Sequence, residues 1–176
     1  MFGEFNPSKV FRYCPKCGEP GFSPNTEKSL KCDSCGFRYF INMSASVGAI
    51  IRNEKDEVLF TIRKHDPAAG MLDLPGGFVD PGETAEEAIK REIFEELNLK
   101  INKIDFVGTF TNKYLYAAIE YQTLDIVFNC SVESFQELQV ADDVSGYIFM
   151  DPSDVRHEEI GLESIMKIVD FISNHS

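Results

Sequence analysis

Two groups of residues in this 176-residue chain have the types and spacings that hold cations. The first is Cys14-Pro-Lys-Cys17-Gly18 and Cys32-Asp-Ser-Cys35-Gly36, one local pattern written twice with 14 residues between Cys17 and Cys32. A two-residue gap lets both thiolates of a pair reach one ion, and the following glycine lets the backbone turn back through positive φ. Four sulfurs complete a tetrahedral zinc site and leave no open position, so the expected Zn²⁺ is structural. Two disulfides would use the same atoms, but the cytoplasmic redox poise disfavours them. The fifth cysteine, Cys130, falls in an apolar segment and reads as core.

The second group is a set of glutamates on a helix predicted from Thr84 to about Leu97, after a Gly/Pro-rich loop over residues 70–82. Ala85, Ile89, Ile93 and Leu97 form its apolar stripe. With Ala85 at zero, Glu92 falls near 340°, Glu96 near 20°, Glu95 near 280° and Arg91 near 240°, at about 100° per residue. Three carboxylates thus overlap the apolar face instead of opposing it. Like charges at i,i+4 repel unless a cation or a proton relieves them. Carboxylate oxygens suit Mg²⁺ or Mn²⁺, and Mg²⁺ keeps waters and recruits substrate phosphates. Arg91 is placed to fix the rotamer of a neighbouring carboxylate, whereas Glu86 and Glu87 read as solvated face.

The elements that must position these groups fall into two parts. Residues 1–41 are rich in Cys, Gly and Pro and poor in aliphatics, so something other than burial must hold them. They carry six basic and four acidic residues, +2, against −14 for the remaining 135. From Ser44 onward, residues 45–51 and 57–63 read as two strands of a hairpin around a polar turn, and 104–110, 124–132 and 146–150 as further strands. A last helix over about 162–172 has Ile165, Ile168, Val169 and Ile172 at helical spacing. Strands, a helix, more strands and a terminal helix predict an α/β or α+β layered domain.

The net charge of −12 argues against a general phosphate-backbone binder, so a nucleic-acid role would need a local exception. No run of about 18 apolar residues is present for a membrane span, and the first residues lack signal-peptide character. The expectation is a cytoplasmic protein.

The stretch from Gly77 to Leu99 resembles the Nudix box: Gly77, five residues, Glu83, seven residues, Arg91-Glu92-Ile93, one residue, Glu95-Glu96, one residue, Asn98-Leu99. It departs at Asn98, where the family has Gly, a mild exchange because Asn tolerates a left-handed conformation best after Gly. The flank from Gly70 to Val79 is also similar. The resemblance implies an α/β/α sandwich over residues 42–176 behind a zinc ribbon over 1–41. It implies hydrolysis of a nucleoside diphosphate linked to another moiety, with Glu92 and Glu96 as main metal ligands, Glu95 and the Gly76 carbonyl as further ligands, and Glu83 and Arg91 positioning them. Family members often add a carboxylate from a loop outside the box, for which Asp143 is the candidate, with Asp142 and Glu120 behind it.

A four-Cys ribbon before such a domain resembles the architecture of NADH pyrophosphatases. Those enzymes carry a Ser-Gln-Pro-Trp-Pro-Phe-Pro-x-Ser-like motif after the box, whereas this chain reads Val107-Gly-Thr-Phe-Thr-Asn-Lys-Tyr-Leu115 and has no Trp. The expected substrate is therefore ADP-ribose or a sugar nucleotide, with NADH or NAD as the alternative. Phe110, Tyr114 and Tyr116 are candidates for stacking on an adenine, and Arg63 and Lys113 for phosphate contacts. The ribbon is expected to serve packing or homodimerisation. A different class of reading is a nucleotide-sensing protein that uses the ribbon to contact nucleic acid or protein; the intact Glu92/Glu95/Glu96 set favours the enzyme.

Overall fold

A segment with few aliphatic residues can form only a small core, and the N-terminal part does so. The computed structural model describes residues 6–174. They divide into two compact units, one running through Met43 and including Lys113–Gln122, the other comprising residues 44–112 and 123–174. In the first, a short helix α1 (Pro7–Val10), capped by the Asn6 side chain, precedes three strands, β1 (Phe22–Thr26), β2 (Ser29–Cys32) and β3 (Arg38–Phe40). They form an antiparallel sheet in that order. Its buried side chains are Cys14, Phe22, Leu30 and Cys32, with Phe11, Phe37 and Ile41 around them. Gly18 and Gly36 lie at φ +77° and +73°. Their N–H groups reach back to the carbonyls of Cys14 and Cys32 at 2.8 and 3.0 Å, the turns that the doubled Cys pattern requires.

In the second unit the apolar run at residues 47–51 lacks polar alternation, as a strand must when both of its faces are covered. Here lie β4 (Ser44–Ile51), β5 (Val58–Arg63), β6 (Leu72–Asp73) and helix α2 (Ala85–Leu97). Then come β7 (Ile101–Tyr116) and β8 (Ile119–Val132), apart from their stretch over Lys113–Gln122, which falls in the first unit, and β9 (Val144–Met150) and helix α3 (Glu163–Ser173). Val47, Ala49, Ile51 and Leu59 pack with Ala88, Ile89, Ile93 and Leu97 of α2. Ile50, Val58 and Phe60 pack with Ile165, Ile168, Val169 and Ile172 of α3. Alternate residues of the same strands thus feed two cores, one under each helix, and give the expected α/β/α layering. Cys130 is 5% exposed in the α2-side core, and burial pushes its thiol up to about 12. Among the described residues no helix is long and apolar enough to cross a membrane.

The expected hairpin of residues 45–51 and 57–63 is corrected. Both strands exist, but a single bridge, Arg52 to Val58, links their ends. β4 instead runs parallel to β8, from Ser44 opposite Thr123 to Ile51 opposite Cys130, in a sheet ordered β4-β8-β7. β5 lies between β6 and β9 in a second sheet. A polar turn shows only that two strands are consecutive; their two-sided apolar character sends each to a non-local partner.

β7 and β8 are much longer than the expected strands over 104–110 and 124–132. They meet at Ala117 and Ala118, both left-handed at φ +49° and +59°. Two such residues normally call for Asn-Gly, so Ala-Ala gave no turn signal. Replacing Ala117 with Asn and Ala118 with Gly should stabilise the protein by roughly 1–2 kcal/mol in denaturant titrations, because left-handed alanine is strained by about that much.

Candidate functional site

Helix α2 starts and stops where its sequence says it should. The Thr84 hydroxyl accepts from the Glu87 N–H at 3.2 Å, and the Glu87 carboxylate accepts from the Thr84 N–H at 2.9 Å, a reciprocal cap. Asn98 ends the helix in the left-handed region at φ +55°, and its side-chain amide donates to the Glu137 carbonyl at 3.0 Å. The register of α2 is thereby fixed against the loop before it.

That loop is tied to β4 by alternate peptides: Ala49 N–H donates to Pro75, Val47 N–H to Gly77 and Val79 N–H to Ala45, at 2.8–3.1 Å. Two glycines make the approach possible. A side chain on Gly76, at φ +146°, would overlap the Val47 carbonyl oxygen, and one on Gly77 would meet the Glu92 carboxylate at 2.5 Å.

Arg91 is the hub. Its Nε and Nη2 donate to the two oxygens of Glu83 at 2.9 Å each, its Nη1 to Glu92 at 2.9 Å and Glu95 at 3.0 Å, and its Nη2 also to the Phe78 carbonyl at 3.1 Å. All guanidinium donors are thus engaged. The bidentate bond to Glu83, with smaller contributions from Glu92 and Glu95, keeps Arg91 charged, and the same bond lowers Glu83. Glu92 is nevertheless raised, since desolvation outweighs its bond to Arg91.

Glu96 is 7% exposed, and one oxygen accepts from the Gly76 N–H at 2.9 Å. Burial, with Glu92, Asp73 and Asp143 adding repulsion, pushes its carboxyl up to about 8 despite that bond. Asp143 is exposed, with an oxygen 3.7 Å from His65 Nε2, and its charge acts on Glu96; that of Asp142 acts on Glu92. Glu120 accepts from the Gln122 side chain in the other unit.

Arg63, a candidate phosphate contact, donates to the Asp73 carboxylate at 2.5 Å and the Pro67 carbonyl at 2.7 Å, making it a strut for Asp73. Phe110 is half-buried, edge to face with Phe171 at 6.0 Å. The side chain of Tyr114 lies outside the described residues. Sequence reasoning missed Asp73 and Asp125. Asp73 is buried and raised by desolvation against the pull of Arg63, with Asp125 repelling it. Asp125 accepts from the Ser46 hydroxyl at 2.5 Å and the Thr123 hydroxyl at 2.7 Å. The available signal was an acid inside an otherwise apolar strand.

This is a patch with surplus negative charge. Oxygen donors at Glu92, Glu95, Glu96 and the Gly76 peptide suit a hard dication, which would supply the positive charge that Glu96 lacks. The cysteines suit a different ion. All four sulfurs lie within 4.8 Å of one another, and the Cys14–Cys35 and Cys17–Cys32 pairs are 3.7 Å apart, unbridged. A tetrahedron with metal–sulfur bonds of about 2.3 Å has edges of about 3.8 Å. Backbone N–H from Cys35, working against burial, lowers the Cys32 thiol to about 7.

The NUDIX domain profile matches residues 43–170. The chain belongs to the NUDIX family. A curated relative from Actinobacillus succinogenes, an NAD-capped RNA hydrolase NudC, is 33% identical over 106 residues, 57% of this chain and 40% of that protein. This NUDIX chain thus spans less than half the length of the curated relatives it matches. A NUDIX hydrolase from Nitrosomonas europaea superposes with a TM-score of 0.68 at 18% identity, over 94% of this chain and 90% of that one. The NUDIX domain of Shewanella oneidensis NrtR, complexed with ADP ribose, does so with 0.62 at 20% identity, over 77% and 90%.

The raised carboxylates of the NUDIX domain have a stability signature. Glu96, Glu92 and Asp73 bind protons more tightly folded than unfolded, so their contribution is full below the unfolded carboxylate range and is lost as pH rises, for Glu96 through about 8. In divalent-free buffer, stability should fall between about pH 5 and 9 by on the order of a few kcal/mol. Glu96→Gln should flatten that slope in denaturant titrations.

Proposed function

We propose that the chain hydrolyses the diphosphate linkage of a nucleoside diphosphate joined to another moiety, with ADP-ribose or a sugar nucleotide as substrate. The observation that carries this reading is Glu96, a buried carboxylate beside Glu92 that has no cationic partner of its own. Glu92 and Glu96, with Glu95 and the Gly76 carbonyl, would hold Mg²⁺ or Mn²⁺, and Arg91 with Glu83 would hold those ligands in place. A bound ion supplies Lewis acidity at the diphosphate oxygens. Asp143 takes a proton from the attacking water as its oxygen bonds to phosphorus in line with the departing phosphate oxygen. In this reading residues 1–41 form a zinc ribbon held by Cys14, Cys17, Cys32 and Cys35, and residues 42–176 the hydrolase domain, in the cytoplasm.

The names of the curated relatives support a second reading, in which the diphosphate is that of NAD or NADH. Against it stands the segment from Val107 to Leu115, which lacks the Trp- and Pro-containing motif of the NADH enzymes. A pocket element that is missing removes transition-state binding for that half of the substrate.

Phosphate release from ADP-ribose, coupled to a phosphatase, should require added Mg²⁺ or Mn²⁺. Glu96→Gln should lower kcat by at least roughly tenfold to a hundredfold; an unchanged rate would reduce the helix to a solvated face. In a panel at one Mg²⁺ concentration, ADP-ribose or a sugar nucleotide should have a higher kcat/KM than NADH, and either should exceed nucleoside triphosphates. A clear preference for NADH would establish the second reading.

Elemental analysis of protein purified under reducing conditions should find about one zinc per chain, because a closed four-thiolate site binds it as part of folding. Cys14→Ser should lose the metal and expose the N-terminal segment to proteolysis. Two disulfides and no metal would overturn the ribbon.

A further inference from the structure

The acidic excess that argues against nucleic-acid binding resides entirely beyond residue 41. In the N-terminal unit the strand register collects cations on one face. Ser23 stands opposite Lys31, and Lys31 opposite Arg38, so the three form a row across β1, β2 and β3 and share a side of the sheet. All three are exposed. Two residues beyond Arg38, on the same side, Phe40 is 55% exposed. The opposite side faces inward, with Phe22, Leu30 and Cys32 buried. No residue of the three strands is Asp or Glu.

Lys31 and Arg38 make no ion pair among the described residues. Like charges directly opposite one another destabilise a sheet, and this sheet has a very small core with which to offset the repulsion. A large exposed aromatic ring beside two unneutralised cations matches what a nucleotide chain offers, a phosphate backbone and a base face.

We propose that this face binds single-stranded nucleic acid, with Lys31 and Arg38 on phosphates and Phe40 stacked on a base. Adjacent strands lie about 5 Å apart, so the two side chains can engage neighbouring phosphates. A duplex keeps its bases stacked inside and leaves Phe40 without a partner. An acidic protein would satisfy the cations but not the ring. The surface does not depend on the reading of the carboxylate patch.

The test uses the whole chain as purified, with fluorescence anisotropy of labelled uridine and deoxythymidine oligonucleotides of about a dozen nucleotides, the span of such sites, in divalent-free buffer. At least one should bind, with affinity falling as salt rises. Lys31→Glu should weaken binding at least about fivefold and flatten the log K against log salt slope by about 0.7, the loss of one single-strand phosphate contact. The same variant should melt at a higher temperature, since it turns a like-charged cross-strand pair into an opposite one. Phe40→Ala should weaken binding at least about fivefold with the salt slope unchanged. The proposal is overturned if neither oligonucleotide binds, if a duplex or polyglutamate competes as well as the single strand, or if both variants bind like the parent.

Discussion

One guanidinium holds together a patch of negative charge that would otherwise repel itself apart. Arg91 reaches Glu83 from the loop, Glu92 and Glu95 from its own helix and the Phe78 carbonyl, and its planar fork is what allows so many partners at once. The surroundings are shaped around that requirement. The reciprocal Thr84 and Glu87 cap and the left-handed Asn98 set the register that puts residues 91, 92, 95 and 96 where they are needed. Gly77 leaves room for the Glu92 carboxylate, and Gly76 lets the loop lie against β4 while its N–H meets Glu96. Glu96 alone receives no cationic partner, so its burial leaves an electrostatic demand that the chain itself does not answer.

The parts legible in the sequence were those in which chemistry and spacing coincide. The doubled Cys pattern and the glutamates overlapping an apolar stripe each have one economical physical explanation. Less legible were features decided by partners far along the chain. The turn after residue 51 looked like a hairpin because nothing local distinguishes a hairpin from two consecutive strands that enter different sheets. Arg63 looked like a phosphate contact because its partner Asp73 sits in an apolar run and gives no sign of facing it. Ala117 and Ala118 hid the tip of a long hairpin because their left-handed conformation runs against their preference.

The chain brings its two sets of candidate cation ligands into place by opposite means. The cysteines of the N-terminal unit come from short local turns around a core of four buried side chains, and soft sulfur at tetrahedral spacing would select an ion by coordination geometry. The carboxylates come from a helix packed on a layered core, beside a loop peptide, and such hard oxygen donors would leave room on a bound dication for the oxygens of a substrate. Neither set of donors suits the other's ion.

The parallel pairing of β4 with β8 also bears on the order in which the chain can mature. Ser46 and Asp125, joined by a hydrogen bond across that pair, are 79 residues apart, so β4 emerges from a ribosome long before its neighbour exists. Closing so long a loop carries an entropic cost that local turns do not. The thiols of residues 14–35 need only 21 residues to meet. During synthesis the N-terminal cysteines can therefore capture an ion while the strand beside the glycine loop is still an exposed apolar segment, the stage at which the nascent chain most needs protection from aggregation.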